Sequence, residues 1–504
     1  MMDRSWRLAA GLVIVGAAIF AAAQWPAFPY FLDSPYHMAV IRGFQDAGGP
    51  VTHAFWEAAP EGIRHLYPPL FHLLWLPARS LGMPLLVMAK LWSWAAFPFL
   101  LTLAWIVFSR ISTARLACLV VLALAVPFNF FLGVVNYLPA TLVLAAALGI
   151  LLALAKKRWL AGGLLLGMAF WLHAGLPWLL VLTLLIFSFL EPGCRRTAWR
   201  VIAVGLLVAS PWLIHEMRHL STFHIHPRGE EHFIDTSPLL IGLGMAGLPL
   251  AWKRHPLVGR FFVALAVGFL PMLIHYRFRY FSAQGLFPWL LLAGVTLDWL
   301  AEKFRPHWLA AAMLAGLVLG APGFFLSMEN HPWKTDWVWA DTTFSVLAGR
   351  PQTVPRITAQ SLFKEQFTDE LIGLIESNTI PEELIYCNLP YLGRMLTSLS
   401  GRAMTFNEPL RDLPEHPLAE VRKARLIVWV KNSSGGVSQE GTLRRVLTEI
   451  PLEPLQETKT AYLFLNPSAT ARRQTARAVV PWWAADLLIL LGVGLVVRDL
   501  RRNG

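Results

Sequence analysis

The sequence predicts an α-helical polytopic membrane protein of about twelve transmembrane helices, with a small α/β domain on the outer face before the last helix. Three observations carry that prediction. Of 504 residues, 56% are hydrophobic and only 15% are charged, against roughly 25% charged in a soluble domain. The apolar residues fall in runs near 20 long, the length that crosses about 30 Å of hydrocarbon at a rise of 1.5 Å per residue. The net charge of +12 sits in short loops between those runs and at the termini: Arg4, Arg7, Lys156 to Arg158, Arg195-Arg196, Lys253-Arg254, Lys303, Arg305 and Arg498 to Arg502. That is the positive-inside bias of a membrane protein and not a nucleic-acid face, so no nucleic-acid partner is expected. The composition also excludes a disordered chain, a collagen-like repeat and a disulfide-stapled scaffold.

The first apolar run spans about 8–25. Its basic start and its Ala21-Ala22-Ala23 end would suit a signal peptide, but the many spans that follow favour a retained anchor. Further runs lie near 86–109, 116–133, 137–155, 159–175, 177–190, 198–214, 237–252, 257–275, 280–300 and 307–326, and a last one near 480–497. With these twelve, both termini face the basic, cytoplasmic side. The stretch 68–80 is set aside: as a short span it would put Lys156 to Arg158 outside, whereas an interfacial helix or half-helix leaves the parity intact. Three polar regions then fall outside: a long first loop, about 26–67, a histidine-rich loop, 215–236, and the region 327–478, long enough for a domain of its own.

Region 327–478 alternates helical and strand-like patterns. Ser361 to Ser377 and Leu443 to Ile450 read as helices; Glu383 to Cys387, Leu426 to Val430 and Ala461 to Leu465 read as strands. Alternation of this kind predicts a layered α/β domain. It has no Gly-rich phosphate loop after a strand, which argues against a nucleotide site. Cys118, Cys194 and Cys387 match no metal spacing, and only Cys387 would face an oxidising compartment, so no intramolecular disulfide is expected.

The chemistry-bearing residues gather in the first loop. Asp33-Ser34-Pro35-Tyr36-His37 puts an acid directly after an apolar helix, with a histidine four residues, or about one helical turn, later. Asp33 reads as a general base or metal ligand at the membrane surface, with His37 beside it; it reads equally as an N-cap with Pro35 in the first turn, and the two are compatible. The loop ends Arg64-His65-Leu66-Tyr67-Pro68-Pro69-Leu70-Phe71-His72, where paired prolines force an extended entry to a new helix. Tyr67 and His72 suit an aromatic belt; Arg64, His65 and Tyr67 are candidates for the acceptor side. A second patch, His275-Tyr276-Arg277-Phe278-Arg279-Tyr280-Phe281, precedes Gln284 and Pro288. Arg277 and Arg279 suit a phosphate, which guanidinium binds in bidentate fashion, or lipid headgroups among aromatic neighbours. His215, Glu216, His219, His224, His226, Glu230, Glu231 and His232 share one loop, but their spacing matches no metal site and a solvated loop is the better reading. His173 at a helix end is a further acceptor-side candidate, and Asn129 and Asn136 suit either an acceptor pocket or turn caps.

Taken together, Asp33-Ser34-Pro35-Tyr36-His37 followed by Tyr67-Pro68-Pro69-Leu70-Phe71-His72 resembles the GT-C superfamily of polytopic glycosyltransferases, with an oligosaccharyltransferase-like architecture. The likeness covers the layout of most of the chain; its specific residues lie in about 26–72 and 275–290. It implies a polyprenyl-phosphate-linked sugar donor, transfer on the outer face of a membrane, and an inverting, base-assisted mechanism with Asp33 as the catalytic acid of the loop. It implies a donor-phosphate role for an Arg-Tyr pair, here Arg277, Arg279 and Tyr280. Relatives with a paired acid bind a divalent metal; in this chain His37 stands where a second acid would follow, so a divalent metal is left open and no cofactor is assigned. The expected partners are the lipid-linked donor, membrane lipids and an acceptor of unstated identity, and the expected location is a bacterial inner membrane with the site facing outward. Two other classes remain. A transporter or flippase of a lipid-linked or anionic solute would show internal repeats and midplane polar sites, which this sequence lacks. An assembly or sensing protein centred on 327–478 would not need twelve spans.

Overall fold

The computed structural model describes residues 2–27, 33–136, 138–219, 234–236, 238–275, 279–280, 284–304, 322–327, 334–339, 343, 365–405, 417–431 and 440–501. The fold is mostly helical. From the N-terminus, α1 (Met2–Ala23) precedes α2 (Asp33–Ala47), a hairpin of β1 (His53–Ala54) and β2 (Ile63–Arg64), and two short helices, α3 (Leu70–Leu73) and α4 (Leu76–Ser80). Apolar helices follow: α5 (Leu85–Ile111), α6 (Ala114–Ala125), α7 (Phe128–Asn136), α8 (Leu138–Ala155), α9 (Trp159–Leu172), α10 (Leu176–Leu190) and α11 (Arg195–Arg218). Next come β3 (Ile234–Thr236), α12 (Pro238–Arg254), α13 (Pro256–Gly268), α14 (Met272–His275), α15 (Leu286–Lys303), β4 (Pro322–Ser327) and β5 (Lys334–Trp339). The remainder holds α16 (Glu365–Asn378), β6 (Leu384–Cys387), α17 (Pro390–Ser400), β7 (Ala403–Met404), α18 (Leu418–Lys423), β8 (Leu426–Val430), α19 (Glu440–Glu449), β9 (Glu453–Glu457), β10 (Ala461–Leu465) and α20 (Trp482–Arg501).

These elements form two compact units, each assembled from separated stretches: 1–28, 90–356 and 489–504 in one, 29–89 and 357–488 in the other. The first is a helical bundle. Among the described residues five helices are long and apolar enough to cross a membrane, Arg4–Ala23, Leu85–Ile111, Leu138–Ala155, Pro192–Arg218 and Pro256–Ile274, with three shorter apolar helices at Ala114–Ala125, Trp159–Leu172 and Leu176–Leu190. On α1, Leu8, Leu12, Val15 and Ile19 recur about once per turn and are each more than half exposed, while Ala10, Ala17, Phe20 and Ala21 are buried. An exposed apolar stripe opposite a packed one is the signature of a helix facing lipid.

Inside the bundle α9 packs on α8 and α11, α10 on α13, α12 on α15, and α15 on α6. The α9–α11 contact is close because Gly163 and Gly167, one turn apart, present no side chain: a Cβ on either would collide with Val204 or Val208. Small residues at one-turn spacing are how helices approach in lipid, where burial of apolar surface gives no driving force. One end of α6, α12 and α15 is tied by charge: Arg115 Nε donates to Asp298 at 2.6 Å, and Arg115 and Arg254 both reach Glu302, at 2.9 and 2.6 Å. Asp499 of α20 accepts from the Ala161 N–H at the start of α9, at 3.1 Å. The cysteines Cys118, Cys194 and Cys387 are free and buried.

Two spans differ from the sequence expectation, and the stretch set aside at 68–80 takes a definite form. The run 116–133 is two helices, broken at Val126-Pro127, because proline lacks the N–H that would continue the ladder. The carbonyls thus freed are taken by Thr343, whose hydroxyl donates to Ala125 at 2.7 Å and whose N–H donates to Val126 at 3.0 Å. The stretch 68–80 is α3 and α4, each too short to cross a bilayer. The run 307–326 does not end as a helix: its last five residues lie in β4, antiparallel to β5 and to β3. Pro322 and Gly323 disfavour a helix there and Phe324-Phe325 favours an extended chain; residues 305–321 lie outside the described set.

The second unit joins the first loop to an α/β layer. Its five-stranded sheet has the order β7-β6-β8-β10-β9, with β6 parallel to β7 and β8 and β10 antiparallel to β8 and β9. β8 (Leu-Ile-Val-Trp-Val) is buried on both faces, as a central strand requires. Leu426, Val428 and Val430 meet Leu371 and Ile375 of α16 and Leu392 and Leu396 of α17; Ile427 and Trp429 meet Val421 of α18 and Leu443 and Val446 of α19. Chain reversal after α17 uses Gly401, at φ +74°, a conformation that a Cβ disfavours. The loop is stitched to β7 by main-chain bonds: Met404 N–H to Trp56 at 3.0 Å, and Ala59 N–H to Met404 at 3.0 Å.

Candidate active site

Asp33 is the first residue of α2 and is half-buried. A carboxylate in the first turn faces the positive end of the helix dipole and unsatisfied N–H groups. One turn on, His37 is buried, and its Nδ1 lies 2.9 Å from Nε2 of buried His72 on α3. The Tyr67-to-His72 segment thus docks on α2: His37 stands 5.2 Å from Tyr67 and 5.1 Å from Phe71, ring centre to ring centre. Behind them Phe44 and Trp56 close on His65, at 5.4 and 5.7 Å. Burial lowers the His37 pKa to about 3, and burial with the neighbouring His37 and His65 pushes His72 well below its ordinary value. Both rings are therefore neutral near pH 7, sharing one N–H.

The other wall is charged. Glu57, 1% exposed, meets Arg394 of α17, whose Nη2 is 3.4 Å from the Glu57 Oε2. The Arg394 guanidinium also lies over the Tyr36 ring, 5.3 Å from its centre. Burial, then Glu57, pushes the Tyr36 phenol well above its ordinary pKa, with Asp33 acting in the same direction. Asp33, Tyr36, Tyr67 and Arg394 are the half-buried members of this cluster; Ser34, His37, Glu57 and His72 are its buried floor. Of these, sequence reading offers Asp33, His37 and Tyr67 as site candidates and His72 as an aromatic-belt residue. It misses Glu57, an acid of the same loop, and Arg394, whose only sequence signal is a basic residue on an amphipathic helix.

Most remaining candidates lie elsewhere. Arg64 is exposed on β2, whereas buried His65 belongs to the cluster, its ring centre 6.3 Å from that of His72. Arg279 is half-buried, and the buried Tyr280 hydroxyl accepts from Trp289 Nε1 at 2.8 Å; Arg277 lies outside the described residues. His173 Nδ1 accepts from the N–H groups of Gly175 and Leu176, at 3.1 and 3.2 Å, at the start of α10. In the histidine-rich loop Glu216 accepts from Trp212 Nε1 at 2.8 Å and His215 packs on His219, 5.2 Å between ring centres, while residues 220–233 are outside the described set.

No protein-family profile matches the chain, and a search of curated proteins finds no match. Solved structures do. The chain is similar to an oligosaccharyltransferase of Archaeoglobus fulgidus solved in complex with Zn and sulfate (TM-score 0.55, 12% identity, over 90% of this chain and 73% of that one). It is similar to the archaeal oligosaccharyltransferase AglB of Archaeoglobus fulgidus in complex with an inhibitory peptide and a dolichol-phosphate (0.54, 13%, 84% and 69%). It is likewise similar to ArnT from Cupriavidus metallidurans bound to undecaprenyl phosphate (0.53, 15%, 92% and 99%). At these identities the likeness concerns the fold, and that fold is GT-C-like. Among the described residues no three His, Cys, Asp or Glu side chains converge to hold a metal ion.

Proposed function

We propose that this protein is a membrane glycosyltransferase that moves a sugar from a polyprenyl-phosphate-linked donor to an acceptor hydroxyl, with Asp33 as the general base. One observation carries the reading: a half-buried carboxylate opens α2 on a floor of buried, neutral and ion-paired side chains, within a GT-C-like fold. The undecaprenyl phosphate and dolichol-phosphate bound by ArnT and AglB support a lipid-phosphate donor for this chain.

In this mechanism Asp33 takes the proton from the acceptor O–H. The acceptor oxygen bonds to the anomeric carbon from the face opposite the phosphate, the carbon–oxygen bond to the donor breaks, and the polyprenyl phosphate leaves with the electron pair, so the anomeric centre inverts. Arg277 and Arg279 hold the donor phosphate, Tyr280 braced by Trp289 lies beside them in sequence, and His37 with His72 fixes the turn that carries Asp33. Arg64, His65, Tyr67 and His173 remain the acceptor-side proposals. The site faces outward across an inner membrane.

Transfer of label from polyprenyl-phosphate sugars in membranes tests the reading against a transporter or flippase. Arg279→Ala is expected to raise the donor KM about tenfold or more, the loss of a charge-assisted contact. Movement of intact lipid-linked sugar across vesicles, with no sugar transferred to any acceptor, would establish the transporter instead.

A further inference from the structure

We propose that Arg394, contributed by the α/β layer, is a positioning residue for the first turn of α2. Through that turn it aims Asp33; this step rests on the glycosyltransferase reading.

The two helices clasp each other at both ends. At the start of α2, the Arg394 guanidinium lies over Tyr36 and faces Glu57. Six residues further along α2, Arg42 Nη1 donates to the carbonyls of Ser398 and Leu399, at 3.2 and 2.8 Å, in the last turn of α17. Those are carbonyls that a helix end leaves without intrahelical partners. Gly401, two residues after Leu399, leaves room for the Arg42 side chain that a Cβ would meet. Arg42 thus fixes α17 on α2, and α17 in turn holds Arg394 against the turn that bears Asp33.

The turn is gripped on both sides. Tyr36, three residues after Asp33, is held by Arg394; His37, four residues after it, is held by His72, Tyr67 and Phe71. These are the two positions that share a helix face with residue 33. Glu57 ties the clasp to the loop. Its carboxylate is buried, its Oε1 finds no hydrogen-bond partner among the described residues, and its Oε2 faces Arg394, so removing the arginine leaves a buried carboxyl group without its charge partner. An arginine suits this place better than a lysine because its planar group can stack on Tyr36 and face the carboxylate at once.

The test uses the full-length protein with Arg394→Lys, Arg394→Gln, Glu57→Gln and the double variant Glu57→Gln with Arg394→Gln. Hydrogen exchange of the segment 33–41 reads how firmly the turn is held. Sugar transfer reads its consequence. Arg394→Gln is expected to speed exchange at 33–41 and to lower kcat about tenfold to a hundredfold, with donor KM within about twofold of wild type, as a displaced base does. Arg394→Lys should recover part of that loss. The double variant, which removes both charges and leaves no buried carboxylate alone, should be no slower than Arg394→Gln, because the pair acts as a unit. Unchanged exchange at 33–41 in Arg394→Gln and in the double variant would overturn the proposal, and so would a wild-type kcat. Faster exchange in variants of a protein that transfers no sugar would leave the positioning contact standing and remove the glycosyltransferase reading.

Discussion

An imidazole taken out of water loses the hydration that makes its protonated form tolerable. His37 therefore stays neutral down to about pH 3 in the folded chain, whereas a histidine of the unfolded chain protonates near 6.5. The unfolded state binds more protons between those values, so stability is full above about 6.5 and falls as pH drops toward 3, by up to about 1.4 kcal/mol per pH unit for this group. Melting temperature in detergent should decline from pH 7 to pH 5. A His37→Gln variant should start lower and decline less; parallel declines in the two proteins would show that His37 is not the source. At this scale the sequence disclosed what is local. Asp33 and His37 are visible as an acid and a histidine one turn apart, and Tyr67 to His72 as a proline-marked docking segment. Glu57 and Arg394 were not visible as a pair, because 337 residues separate them and no periodicity links a loop acid to a distant helix.

Elements follow the same logic of local against distant causes. The strands Leu426–Val430 and Ala461–Leu465 have the boundaries read from their β-branched and aromatic runs, since burial on the sheet and intrinsic preference agree there. α17 was not anticipated, although Pro390 at its start and Gly401 after its end are ordinary helix punctuation; its partner β7 is only two residues long and gives no pattern of its own. The break between α6 and α7 was legible in Pro127, but the residue that satisfies the freed carbonyls, Thr343, lies more than two hundred positions away. Close helix approach supplies the prediction at this scale. Gly167→Val would place a branched side chain against Val208 and should cost about 1–3 kcal/mol, seen as a lower melting temperature. Gly11→Ala on α1, where nothing lies within 4 Å, is the control and should be neutral or slightly stabilising. Equal effects of the two would mean that α9 and α11 do not depend on glycine for their contact.

For the whole molecule, low charge, apolar run lengths and the clustering of basic residues were enough to indicate a polytopic bundle, and the first-loop residues pointed to the GT-C-like fold that the solved structures share. What composition could not disclose is that the first loop belongs with a stretch three hundred residues on, forming one unit through Trp56, Ala59 and Met404, Arg42 and α17. Long apolar helices with exposed faces lead to the expectation that the protein stays in the membrane pellet at alkaline pH; release into the supernatant would contradict the spanning assignment. The central claim is that the carboxylate opening α2 does chemistry, and the measurement that reaches it most directly is sugar transfer by wild type and Asp33→Asn in membranes supplied with labelled polyprenyl-phosphate sugars. Loss of a general base should lower the rate about 10²–10⁴-fold while the variant folds and inserts as wild type does. Equal rates for the two proteins would make Asp33 a helix-start residue alone and place the base elsewhere.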